Sequence, residues 1–119
     1  MNEHNIPFHV IDWDETPKAD HKGIIGKATW QTHQLPGLRI RIVRYSPGYL
    51  ADHWCTKGHI VHCLEGEFIS ELSDGRVFRL RKGQTYVVSD GESSHRSTTE
   101  QGVTLLIIDG DFLQSIPSK

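Results

Sequence analysis

The donor-rich part of this chain is the run His53-Trp54-Cys55-Thr56-Lys57-Gly58-His59, with a further histidine, His95, downstream. Imidazole and thiolate both bind borderline transition metals well. In an extended chain, residues two apart project to the same face, so His53 and Cys55 are expected to point together. A turn at Lys57-Gly58 then lets the next strand bring His59 back beside them. Three donors from one hairpin leave an ion in need of a further ligand. His95 is the natural supplier, because it follows the loop Ser89-Asp90-Gly91-Glu92-Ser93-Ser94 and opens another strand.

Something must hold these residues in place. Turn signals recur along the chain from about position 35: Leu35-Pro36-Gly37, Ser46-Pro47-Gly48, Thr56-Lys57-Gly58, Glu65-Gly66-Glu67, Asp74-Gly75, Lys82-Gly83, Asp90-Gly91, Gln101-Gly102 and Asp109-Gly110. Pro before Gly suits the centre of a type II turn, and Asp-Gly between alternating runs suits a hairpin. The intervening segments, 38–45, 59–64, 67–72, 76–80, 84–88 and 103–108, are short and rich in β-branched and aromatic residues. No core helix is expected. Many short strands at even spacing predict an all-β sandwich or closed barrel.

The donors and glycines together resemble the cupin superfamily. Its first motif reads Gly, several residues, His-x-His, three or four residues, Glu, six residues, Gly; here stand Gly48, His53-Trp54-Cys55, His59 and Gly66. Its second motif reads Gly, five residues, Pro-x-Gly, two residues, His; here stand Gly83, Ser89-Asp90-Gly91 and, one residue late, His95. Cys55 replaces the second His, His59 replaces Glu and Ser89 replaces Pro. The first two changes exchange one ligand type for another. The stretch Tyr45 to Cys55 with Lys57-Gly58-His59 also resembles a group of small stand-alone bacterial cupins, the DHCW-motif proteins, which supplies no activity. The resemblance implies a cupin-type jelly-roll β-barrel with a metal ion held by His53, Cys55, His59 and His95.

That reading predicts an N-terminal arm or edge strand over 1–26, a barrel over 27–110 and a tail over 111–119. Phe8, Val10 and Trp13 belong to the arm, which gives a means of homodimerisation, and Phe112, Leu113 and Ile116 to the tail. One divalent transition metal is expected, zinc first, with iron, nickel or copper as alternatives, and a small organic molecule as its partner. Function divides between metal-dependent ligand binding, a dioxygenase- or isomerase-type enzyme, and a structural ion that staples the barrel. Catalytic residues are unknown at this stage.

Flanking residues are read from strand parity. Cys63 is expected inside as a packing residue and His62 outside. Ser97 should look inward with His95, and Arg96 outward. Histidines 4, 9, 21 and 33 are read as surface or interface residues. Between Arg39/Arg41 and Leu38/Ile40/Ile42, the apolar set is expected to face the core, since burying guanidinium is costly; an inward arginine would be a carboxylate anchor.

Composition excludes other classes. The chain has 119 residues, 36% hydrophobic and 24% charged, with a net charge of -2, enough for one core. The pI near 6.4 and scattered basic residues give no case for nucleic acid or an anionic membrane. The opening residues lack the basic and apolar regions of a secretory signal. With two cysteines and no such signal, a reducing compartment, the cytoplasm, is the expected location.

Overall fold

In a computed structural model, residues 5–114 are described; His4 and Ile116 lie outside them. Eight strands account for most of the chain: β1 (Ala19–Lys22), β2 (Lys27–Leu35), β3 (Leu38–Tyr45), β4 (His59–Leu72), β5 (Val77–Arg81), β6 (Thr85–Val88), β7 (His95–Thr98) and β8 (Val103–Gly110). All pairings between them are antiparallel. The strand order is β1-β2-β3-β8-β4-β5, with β6 and β7 also paired to β4. The only helical elements among the described residues are single 3-10 turns at Trp13–Glu15 and Asp111–Leu113. This is an all-β jelly roll.

The long strand β4 holds the two halves together. Its first part pairs with β6 and β8, and its second with β5 and β7. The register shifts between Cys63 and Glu65, and a bulge of this kind is how one strand turns a corner between two sheets. The sequence Glu65-Gly66-Glu67 is therefore a bend within a strand and not the expected chain-reversing turn. Gly66 has φ +81°, and a Cβ there would sit 2.5 Å from the Gly102 carbonyl oxygen. Glycine is required on both counts.

Alternation along the strands decides which side chains meet inside. On β8, Val103, Leu105, Ile107 and Asp109 are buried, and their partners across the ladder are Tyr45, Val43, Arg41 and Arg39. Trp30 and Ala28 of β2 stand opposite Val43 and Tyr45. Phe68 and Leu80 close the core from the other sheet. Strand β2 went unread in the sequence because Lys, Thr, Gln and His interrupt its apolar positions.

The expectation for β3 is corrected here. Arg39 and Arg41 point inward, whereas Leu38, Ile40 and Ile42 take the outer face, half-buried. Desolvation argues against an inward arginine only when it has no partner. Both guanidiniums here share the carboxylate of Asp109, and Arg41 also lies over the Trp30 ring at 4.4 Å, a favourable cation–π placement.

The segment before β1 folds back on the same subunit. Gln31 Nε2 donates to the carbonyls of Trp13 and Thr16, and the Trp13 ring meets His33 edge-on at 5.4 Å. Phe8 and Val10 stay exposed.

Candidate metal centre

Cys55 and His95 are placed by a direct backbone pairing. The Cys55 N–H donates to the His95 carbonyl at 2.8 Å, and the His95 N–H returns the bond to Cys55 at 3.0 Å. Residues paired in this way carry their side chains on the same face of the ladder. The chain then crosses Thr56-Lys57-Gly58 to reach His59, the first residue of β4. At Gly58 a Cβ would fall 2.6 Å from both the Asp90 nitrogen and the Val88 carbonyl oxygen, so only glycine lets this loop pass so close to the one before β7. The resulting contact is Cys55 Sγ to His59 Nε2 at 3.4 Å.

Ligand atoms of Cys55, His59 and His95 all lie within 4.8 Å of one another. Metal bonds of 2.0–2.3 Å at tetrahedral angles separate neighbouring ligands by roughly 3.3–3.6 Å. The Cys55–His59 contact already meets that spacing. His59 and His95 are buried, and Cys55 is half-buried.

Each ring is oriented from behind. His95 Nδ1 donates to the Ser93 carbonyl at 3.0 Å, which leaves Nε2 as a bare lone pair. That Nε2 is buried without a hydrogen-bond partner. His59 Nδ1 lies 3.2 Å from Asp109 Oδ2 and donates there, so its Nε2 also faces the cluster. Carboxylate or carbonyl behind histidine is the usual support of a metal ligand. A buried, unpartnered imidazole nitrogen beside a thiol and a second imidazole fits a metal ion.

Asp109 went unread as a site residue because Asp109-Gly110 looked like a turn. The available signal was parity, since 109 continues the inward series 103, 105, 107. The register Ile60↔Ile108 carries His59 to its level. Asp109 receives Arg39 Nε and Nη2, both at 3.0 Å, and Arg41 Nη2 at 3.1 Å. Burial would raise its pKa, but the hydrogen bonds from His59 and Arg39 and the charge of both arginines hold it far below the ordinary carboxylate range. Burial likewise pushes the Cys55 thiol up, yet the hydrogen bond from His59 leads the effects that bring it down to about 5. For His59 burial favours the neutral ring, while Asp109 and Cys55 prevail and raise it. Cys55 is therefore a thiolate at neutral pH, the form that binds metals.

His53, the expected fourth ligand, is not brought to the other three. The chain bends at Asp52 and His53, so the same-face rule for an extended strand fails between 53 and 55. The His53 side chain is 73% exposed, and its Nδ1 lies 2.6 Å from Asp52 Oδ1. It borders the mouth of the cavity that contains the cluster. Cys63 is fully buried with its thiol against the Gly66 carbonyl, outside the cluster, as a packing residue. His62 sits on the outer side bonded to Thr85. Ser97 lines the cavity, and Arg96 turns away to Glu71 and the Trp54 ring. His21 is expected at the surface or at an interface. It does remain exposed, but it also stacks on Trp30 at 4.0 Å and lines the cavity.

That cavity measures about 610 Å³, within the range of small-molecule sites. Tyr45 and Tyr86 line it, and burial pushes both phenols up.

No protein-family model matches the sequence, and no curated protein sequence matches it either. Solved structures do match. An RmlC-like cupin from Shewanella frigidimarina superposes with TM-score 0.68 at 19% identity, over 87% of this chain and 91% of that one. A cupin-2 domain protein from Rhodospirillum rubrum gives 0.71 at 15%, over 97% and 84%. Fe(II)-HppE with an alternative substrate gives 0.71 at 14%, over 86% and 60%. The fold is the cupin fold. Within it, this chain is a small single barrel with a Cys/His/His cluster at its centre.

Proposed function

We propose that this chain is a metal-binding cupin in which Cys55, His59 and His95 hold one divalent transition ion, and that a small organic molecule completes the coordination from the cavity. The observation that carries the reading is the His95 Nε2 lone pair, buried, unpartnered and aimed at a thiolate and a second imidazole. Three protein donors leave a vacant position, as in open zinc sites, whereas a stapling ion takes four. One thiolate with two imidazoles suits zinc first and iron, nickel or copper next. Bound there, the ion would supply Lewis acidity toward an oxygen of the molecule in the cavity.

A metal-dependent enzyme is the second reading, supported by the same vacancy and by the likeness in fold to a neighbour described as Fe(II)-HppE with an alternative substrate. No acid–base residue is assigned to it. Both readings share one test. Elemental analysis of the purified protein should find about one equivalent of transition metal. Cys55→Ala should lose it together with thermal stability, while His53→Ala should keep it. Full occupancy in Cys55→Ala would remove the thiolate from the site, and loss in His53→Ala would restore His53 as a ligand.

A further inference from the structure

The chain as a whole is slightly acidic, with 13 lysines and arginines against 15 aspartates and glutamates. Its main cavity reverses that balance. Lys22, Arg39, Arg41 and Lys57 line it, against the single carboxylate of Asp52. Behind the wall Asp109 offsets only one of the two guanidiniums it binds.

Arg41 is the most informative of these groups. It is 4% exposed, and although one terminal nitrogen reaches Asp109, its Nε is buried with no hydrogen-bond partner. An unpaired donor on a buried cation is costly unless something occupies it. The flat Trp30 ring fixes the guanidinium plane from one side. Val43, Val61, Leu105 and Ile107 add apolar surface to the lining of the same cavity, which argues for a carbon skeleton and not an inorganic anion.

We propose that the molecule bound in this cavity is a small organic acid, its carboxylate on the Arg41 guanidinium beside Arg39 and a second oxygen directed at the metal cluster. The proposal rests on the metal reading for that second contact only. Guanidinium recognises a planar carboxylate through parallel N–H donors. The same arrangement discriminates against neutral analogues, because they leave buried donors unpaired.

The test uses cobalt-loaded protein and three probes, lactate, malate and salicylate, each against its neutral counterpart: propane-1,2-diol, butane-1,2,4-triol and salicyl alcohol. At least one acid should bind at least about tenfold more tightly than its counterpart, by calorimetry and by a shift in the cobalt spectrum. Arg41→Gln should lose about tenfold or more of that affinity with cobalt content and thiolate-to-cobalt absorption unchanged. If Arg41→Gln does not fold, Arg39→Gln, whose side chain is 27% exposed in the native protein, carries the same comparison. Acids that bind no better than their neutral counterparts, or affinities that survive the arginine substitutions, overturn the proposal. If the wild type takes up no cobalt, the metal reading falls. The acid site is then decided by the same probes and arginine variants on metal-free protein.

Discussion

Asp109→Asn separates what the buried carboxylate does for the fold from what it does for the metal ligands. Asparagine keeps the shape, and its amide oxygen can still accept from His59 Nδ1, so the ring loses charge support before it loses orientation. Two guanidiniums lose their counter-ion at once. Arg39 is partly exposed and can recover water, but Arg41 has 5% of its side chain accessible and keeps only the Trp30 face. Removing one partner from a buried pair costs about 3–5 kcal/mol. The lower end applies, because only one of the two cations stays trapped. At roughly 4 °C per kcal/mol for a domain of this size, Tm should fall by about 12 °C in the metal-free protein. A supporting carboxylate behind a ligating histidine is worth about 10–100-fold in metal affinity, or about 1.4–2.8 kcal/mol. Zinc competition against a chromophoric chelator, with thermal unfolding in parallel, reads both effects. If zinc affinity stayed within about threefold of wild type and Tm within about 3 °C, Asp109 would be a bystander and the account of the site would fail.

His95→Phe fills much the same volume and deletes the orphaned nitrogen. Metal uptake should be abolished while the metal-free protein loses about 1–2 kcal/mol, measured by denaturant unfolding, because relief of the unpaired Nε2 only partly offsets the loss of the part-buried hydrogen bond from Nδ1 to the Ser93 carbonyl. Gly66→Ala forces a Cβ against the Gly102 carbonyl at positive φ and should cost about 2 kcal/mol or more by the same measurement. Asp109 also predicts an acid limb. Its folded pKa lies well below the ordinary 3.8, so its stabilisation is complete above pH 3.8 and drains as pH falls further toward the folded value. Circular dichroism of the metal-free protein should show unfolding steepen there, and Asp109→Asn should flatten it.

The fold was legible where pattern and turn chemistry agree. Segment 38–45 is β3 residue for residue, and 103–108 is the body of β8. Three of the four expected donors, Cys55, His59 and His95, do meet. What failed did so for local physical reasons. Strand parity was carried through 53–55, where the chain bends. The glycine at 66 signalled a turn, yet the chain uses its positive φ to bend a continuing strand. The arginines of β3 were judged one residue at a time by desolvation, whereas their burial is a property of a cluster whose other member, Asp109, comes much later in the chain. No rule that reads one element alone can see a buried ion pair closed across two strands.

The cluster has a second chemical description, and it must be weighed. Cys55, His59 and Asp109 stand in line, sulfur to Nε2 at 3.4 Å and Nδ1 to carboxylate at 3.2 Å, which is the arrangement that activates a cysteine nucleophile. A thiolate at neutral pH is common to both descriptions and decides nothing. His95 decides it. A nucleophilic triad has no use for a third group whose bare Nε2 is buried beside the sulfur without a partner, and leaving it so costs stability. A metal ion accounts for that lone pair, for the Ser93 carbonyl that fixes its tautomer, and for the backbone pairing that sets His95 beside Cys55. His95→Phe therefore separates the two. A triad would keep a fast-reacting thiol in that variant, as read by alkylation rate at pH 7, whereas a metal centre would lose its ion.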